Sequence, residues 1–305
     1  MAQIPLPFYA APSELPQSLP TKQEIEDSTD ELMDSGSRRL VRIGPFIIKY
    51  GSGVSVIEGE NMLFVSRQTK VPVPHVYAIY TDTESKSNYI VMEYIEGQTL
   101  EFEWGLLSEK QKEDISGQLR GYMDQLRSIP SPGYYGSIGG RGLLDCIFWT
   151  GDDAGTELNG PFDTEDEFNE AMRNKYIYNE LSLQKAEFYG RAFPVVFKGH
   201  DPVYTHGDFQ RKNIMIKRIP YAGPQDDLPD CQGQTSSMML EKDTFTLTVV
   251  DWEDAGWYPT YWESAMALTA CARWNDDWHK WVGKSLELFL PEFAWAQMLR
   301  NELWS

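Results

Sequence analysis

The sequence predicts an α+β chain of two lobes, a small β-rich N-terminal lobe and a larger, mainly helical C-terminal one. Between Arg38 and Gly97, short β-rich runs surround a single helical stretch, the texture of a small mixed lobe. Beyond Leu107, apolar residues recur at helical spacing through much of the remaining chain. With 305 residues, 41% of them hydrophobic, there is enough apolar surface to bury the core of two lobes that share a cleft.

The first 37 residues contain Pro5, Pro7, Pro12, Pro16 and Pro20, then an acidic stretch from Glu24 to Asp34. This composition favours an extended arm over a packed element. Residues 38–97 form the N-lobe. Arg39–Ile43 and Phe46–Tyr50 read as a strand pair turning at Gly44-Pro45, with Lys49 near the end of the second strand. Val56–Gln68 has the spacing of a helix, although Gly59 weakens it. Val71-Pro-Val-Pro74 stops that helix and opens an extended segment, and Tyr89–Tyr94 is a further strand.

Residues 98–305 form the C-lobe. Ser108 followed by Gln111 reads as a capping box, and Ile115, Leu119, Tyr122, Met123, Leu126 and Ile129 share one helical face. Ser131–Thr164 reads as irregular and Glu165–Tyr189 as a helix. Asn213–Ile219 and Phe245–Val250 form a hairpin separated by a long polar insert at 220–240. From Tyr261 to Trp304 the spacing is helical again, and core packing is the default role for its tryptophans. Trp257, Tyr258 and Glu263 are the candidates for recognition instead, with Tyr134, Tyr135 and Phe148 at an outer mouth.

A net charge of -19 excludes nucleic acid as a main partner, because phosphate backbones demand clustered Lys and Arg. That field suits a cationic or neutral small molecule. Cys146, Cys231 and Cys271 have neither disulfide-framework nor zinc spacing. No window approaches the roughly 18 apolar residues of a membrane span, and no leader pattern opens the chain, so a cytoplasmic protein without membrane contact is expected.

The chemistry concentrates in Tyr204-Thr-His-Gly-Asp-Phe-Gln-Arg-Lys-Asn-Ile-Met-Ile216, where Asp208 precedes Asn213 by five positions just before a strand. An aspartate there can orient a hydroxyl and accept its proton, and an asparagine carbonyl on the same loop can ligate Mg²⁺. His206 reads as a scaffold residue. Asp251, leaving the apolar strand Val249-Val250, supplies a second hard oxygen ligand. An isolated HGD triplet would read as loop capping. In order with Lys49, Glu58 and Asp251 it becomes a specific pattern.

This pattern, HGD-x4-N followed by a strand and then Val249-Val-Asp-Trp-Glu253, resembles the aminoglycoside phosphotransferase and choline kinase group of the protein-kinase-like fold, over roughly Arg38 to Trp304. The texture of Ile47–Gly51, Asn61–Phe64, Val71–Pro74, Met92–Tyr94 and Asp251–Pro259 is similar to such proteins from filamentous fungi. The resemblance implies a nucleotide-binding N-lobe, a catalytic and substrate-binding C-lobe, and transfer of the γ-phosphoryl group of ATP to a small-molecule hydroxyl. It implies Asp208 as catalytic aspartate, Asn213 and Asp251 as Mg²⁺ ligands, and Lys49 as the cation on the α- and β-phosphates. Glu58 matches the helix carboxylate that holds this lysine, with Glu60 as the fallback. Met92, Glu93 and Tyr94, continuing to Ile95, match the connection that meets the adenine. One departure is the phosphate-covering flap. Gly44-Pro45 is too tight for it, so either Ser35–Ser37 lies over the nucleotide or Lys49 and the metal take the phosphates alone. The second alternative admits a catalytically inactive, kinase-like nucleotide- or ligand-binding module.

Overall fold

A computed structural model of the chain describes residues 4–149, 155–220, 243–271 and 274–303. The N-lobe is a six-stranded antiparallel sheet in the order β1-β5-β6-β4-β3-β2. Its strands are β1 (Phe8–Tyr9), β2 (Glu31–Asp34), β3 (Arg39–Ile43), β4 (Phe46–Gly51), β5 (Val76–Thr81) and β6 (Asn88–Glu93). The expected pair at Gly44-Pro45 is β3–β4, in register from Ile43↔Phe46 to Arg39↔Tyr50.

The first 37 residues are not an extended appendage, because they supply both edges of this sheet. Phe8 and Tyr9 pair with Ile79 and Ala78 of β5, and β2 pairs with β3. Between them lies the short helix α1 (Lys22–Glu26), started by a capping box at Thr21 and Glu24. Its Ile25 is fully buried with Val41, Phe46, Ile48 and Tyr77. The proline-rich composition forbids a long helix here, but one apolar side chain at each anchoring point is enough to hold the segment down.

Helix α2 (Val56–Gln68) starts where the Ser55 Oγ accepts from the Ile57 N–H at 3.3 Å. Gly59 is where this helix touches the sheet. A Cβ there would lie 2.7 Å from the Ile79 side chain, so the residue that weakens the helix locally is the one that lets it pack flush.

The C-lobe contains the helices α3 (Leu100–Glu103), α4 (Glu109–Arg127), α5 (Thr156–Asn159), α6 (Glu165–Tyr178), α7 (Leu183–Val196), α8 (Trp262–Thr269), α9 (Trp278–Ser285) and α10 (Leu290–Leu303). The capping box at Ser108 and Gln111 forms, and α4 buries Ile115, Leu119, Met123 and Leu126. The single helix expected over Glu165–Tyr189 is two. Glu180 takes a left-handed φ of 58° and Ser182 caps α7, so the chain turns between them. Trp262, Trp278 and Trp281 are core residues, whereas Trp274 is exposed.

Four short strands position the site. β8 (Pro202–Thr205) pairs with β11 (Gly256–Pro259), and β9 (Ile214–Ile219) pairs with β10 (Thr244–Val249). The two-residue strand β7 (Gln98–Thr99) completes the β9–β10 sheet. Within the insert expected at 220–240, positions 221 onwards lie outside the described residues.

Candidate active site

Two loops face each other between two ladders. Residues 206–213 connect β8 to β9, and residues 250–255 connect β10 to β11, so each loop is fastened at both ends to the strands that fasten the other. The Val250 N–H donates to the Asn213 carbonyl at 2.9 Å, which sets Asn213 beside the start of the second loop. Gly207 has a φ of 87°, and a Cβ there would lie 2.7 Å from the Asp254 carbonyl oxygen; only glycine permits this approach.

His206 is fully buried with both ring nitrogens engaged. Nδ1 accepts from the Asp208 N–H at 3.2 Å and Nε2 meets the Val250 carbonyl at 3.0 Å. The scaffold role expected for it is what the geometry provides. Glu263 of α8 is buried beneath the loop, accepting from the N–H groups of His206 at 2.7 Å and Gly207 at 3.2 Å. Burial raises its carboxyl above the ordinary range, against the opposing pull of His206 and Arg127. Glu263 is therefore a loop anchor, and Trp257 and Tyr258 are fully buried, so none of the three faces a ligand. Tyr135 and Phe148, expected at an outer mouth, are also core residues.

The Asp208 carboxylate accepts from Asn213 Nδ2 at 2.8 Å and from Gln210, with Lys212 Nζ at 3.3 Å. Burial works against its charge, but Gln210, Lys212, His206 and Asn213 outweigh it and hold this carboxyl below the usual carboxylate range. Because Asn213 donates Nδ2 to Asp208, its Oδ1 is the end left for another partner.

Across the cleft, Lys49 of β4 is buried and ion-paired to Glu58 of α2 at 2.7 Å, to Asp251 at 3.0 Å and to Glu253 at 3.4 Å. Burial opposes its charge, yet the three carboxylates prevail and keep the ammonium well above its ordinary value. Glu58 is buried too. Desolvation pushes its carboxyl up to about 7, with Lys49 pulling the other way. Glu60 leaves α2 in another direction and pairs with Arg141 at 2.7 Å, so Glu58 is the partner of Lys49. Asp251 adopts a left-handed φ of 64°, which turns the chain sharply at the end of β10. Oxygens of Glu58, Asp251 and Glu253 lie within 4.8 Å of one another.

Asn61 is a positioning residue for the second loop that sequence reasoning missed. Fully buried on α2, it donates Nδ2 to the carbonyls of Trp252 at 2.8 Å and Ala255 at 3.2 Å and accepts from the Tyr204 hydroxyl at 3.1 Å. It locks the second loop to the helix that carries Glu58.

The connection after β6 borders a cavity of about 510 Å³. Glu93, Tyr94, Ile95 and Glu96 form one wall, Met215 and Thr248 of the β9–β10 hairpin another, and Arg42 lies 3.7 Å over the Tyr94 ring. The Tyr94 N–H is taken by the Pro45 carbonyl at 2.9 Å. Met92, expected at this site, packs into the core instead, and Ile95 and Glu96 extend the wall.

The sheet has another hairpin ahead of the one that turns at Gly44-Pro45. The pair that turns at Gly44-Pro45 is the second hairpin of the sheet; the first is β2–β3, whose turn Ser35-Gly36-Ser37 is exposed and tied to the end of β4 by the Gly53 N–H, which donates to the Ser37 carbonyl at 2.9 Å. Arg38, which follows that turn, reaches Glu253 at 2.9 Å.

No family model matches the sequence, and a search of curated proteins finds no match. Solved structures do match. Aminoglycoside phosphotransferase APH(4)-Ia is similar over 92% of this chain and 84% of its own, with a TM-score of 0.53 at 15% identity. APH(2")-IIia, solved with GDP and kanamycin, matches over 92% and 87% with a TM-score of 0.52 at 12% identity. A thermostable APH(4)-Ia mutant, solved with ADP and hygromycin B, matches over 90% and 83% with a TM-score of 0.52 at 17% identity. At these identities the likeness is one of architecture, and the chain has the two-lobed, kinase-like fold of the aminoglycoside phosphotransferases, with a β-sheet N-lobe and a helical C-lobe.

Proposed function

We propose that the chain is an ATP- and Mg²⁺-dependent phosphotransferase that moves the γ-phosphoryl group to a hydroxyl of a small molecule. The supporting observation is a chain of contacts: Asn213, which holds Asp208, is hydrogen-bonded to Val250 at the start of the Asp251 loop, and Asp251 ion-pairs with Lys49, the partner of Glu58. Asp208 is the residue that accepts the acceptor's proton. Its lowered pKa keeps it ionised at neutral pH, which suits a transfer in which orientation of the hydroxyl matters more than strong basicity. Lys49, held extended by Glu58, meets the α- and β-phosphates. The cavity at Glu93–Glu96 takes the nucleobase.

The donors present fit Mg²⁺. Asn213 Oδ1 and the partly exposed Asp251 carboxylate are hard oxygens, while Glu58 is buried and committed to Lys49. Bound there, the ion would offset charge on the phosphates.

The acceptor class that fits is an amine-bearing alcohol, an amino-sugar, an amino-alcohol or a fungal metabolite of that kind. Asp254 lies where burial and the charges of Asp145, Glu253, Asp208 and Asp251 hold its carboxyl well above the ordinary range, a field that a cationic group would relieve. Similar structures were solved with hygromycin B, kanamycin and streptomycin, which supports this class. The alternative is a catalytically inactive module that binds a nucleotide or another ligand, for which nucleotide binding without turnover of any acceptor would be the outcome.

The test is a melting-temperature titration with ATP, GTP and Mg²⁺, followed by an ADP- or GDP-release screen against amino-sugars and amino-alcohols. Nucleotide should stabilise the native chain in a metal-dependent way, and Asp251→Ala should lose the effect. Asp208→Ala should keep the fold and the nucleotide-dependent shift but lose turnover by about a hundredfold or more. Wild-type turnover in Asp208→Ala would refute the assigned mechanism.

A further inference from the structure

The flap turn has no backbone donors to spare. The Gly36 N–H donates to Asp34 Oδ1 at 2.7 Å, the Ser37 N–H to the Ser35 carbonyl at 3.0 Å, and the Ser35 N–H to the Arg38 carbonyl at 3.0 Å. The Ser37 carbonyl in turn accepts from the Gly53 N–H at 2.9 Å, which fixes the turn to the end of β4. A flap whose amides are satisfied internally cannot cradle a phosphate with its backbone, which leaves its side chains to do so.

Arg38 is placed for that task. Its Nη1 lies 2.9 Å from both carboxylate oxygens of Glu253, which also lies 3.4 Å from Lys49. Arg38, Glu253 and Asp254 border a cavity of about 420 Å³ beneath the flap, with Ser52 and Ser55 on its wall. Glu253 is thus shared by two cations, one from the floor of the N-lobe and one from its flap. The arginine fork has donors beyond Nη1, and its geometry matches two oxygens of one phosphate.

We propose that Arg38 is the flap's phosphate ligand, binding the terminal phosphoryl group of the nucleotide, with Glu253 as its resting partner. The assignment rests on the phosphotransferase reading above. On nucleotide entry a phosphate oxygen replaces Glu253 at the guanidinium, so the contact is made to a triphosphate and not to a diphosphate. Lys49 remains responsible for the inner phosphates, which both nucleotides share.

The experiment needs no acceptor. The full chain, Arg38→Ala and Arg38→Lys are titrated calorimetrically with Mg-ATP and with Mg-ADP. Arg38→Ala should lose about tenfold or more in ATP affinity while ADP affinity stays within about twofold, and Arg38→Lys should fall between. An ATP-to-ADP ratio unchanged by Arg38→Ala, or an equal loss for both nucleotides, overturns the assignment and leaves the nucleotide site standing. Failure of the native chain to bind either nucleotide overturns the phosphotransferase reading and this assignment with it. Arg38 is substantially exposed, and melting without nucleotide verifies that each variant is folded.

Discussion

Glu58 carries a cost that its neighbours only partly relieve. Its carboxyl is pushed up to about 7 by burial, against an ordinary value of 4.5, while Lys49 favours the charged form. Between those two values the folded chain holds the proton more tightly than the unfolded one. The resulting stability is fully present below about pH 4.5 and is lost as pH rises through about 7. Glu58→Gln removes this titration. The unfolding free energy of the native chain, measured in urea, should therefore fall more between pH 5 and pH 7.5 than that of the variant. Asp208, Asn213 and Asp251 stand out in the sequence by their order and spacing, and Lys49 and Glu58 by the resemblance; the structure ion-pairs Lys49 with Glu58 and Asp251 and sets Asn213 on Asp208. The role of Asn61 is not legible there, and Glu263 reads as a recognition residue and not as the loop anchor it is. Each does its work by ending a backbone hydrogen bond in a distant loop, and no local spacing announces such a partner.

Elements were readable where a periodic face exists. Helix α4 has both a capping box and an apolar stripe, β10 is apolar on alternate positions, and β9 opens on the apolar run Ile214-Met215-Ile216. Strand β2 has neither, since all four of its residues are exposed, and β1 is two residues long. They hold their places by pairing with strands that the sequence does announce, so composition alone made them an arm. Their position predicts the effect of a truncation that begins the chain at Arg38. The edges of β3 and β5 would be bared, as would the core around Ile25. That truncated chain should associate on size-exclusion chromatography and melt well below the full chain, whereas a true appendage would be removed without effect.

For the whole molecule, the two-lobed plan was legible because the shift from β-rich to helical texture falls where the lobes meet. The acceptor was not, because substrate pockets are assembled from variable segments, and a stretch such as residues 131–149 has no period to read. The paired ladders around the site divide the molecule into places where chain length is counted and places where it is free. Six pairs, from Ile214↔Val249 to Ile219↔Thr244, separate the site from the far end of the hairpin, and four pairs from Pro202↔Pro259 to Thr205↔Gly256 close the other side. One extra glycine between Asp208 and Asn213 should abolish nucleotide-dependent stabilisation, because the ladders cannot move apart to absorb it. Several extra residues added just beyond Pro220 should leave the melting curve and its response to nucleotide unchanged. The Ile219↔Thr244 end of that ladder, the one remote from the site, is accordingly where a tag, a reporter or a new recognition segment can be grafted onto this scaffold without altering its chemistry.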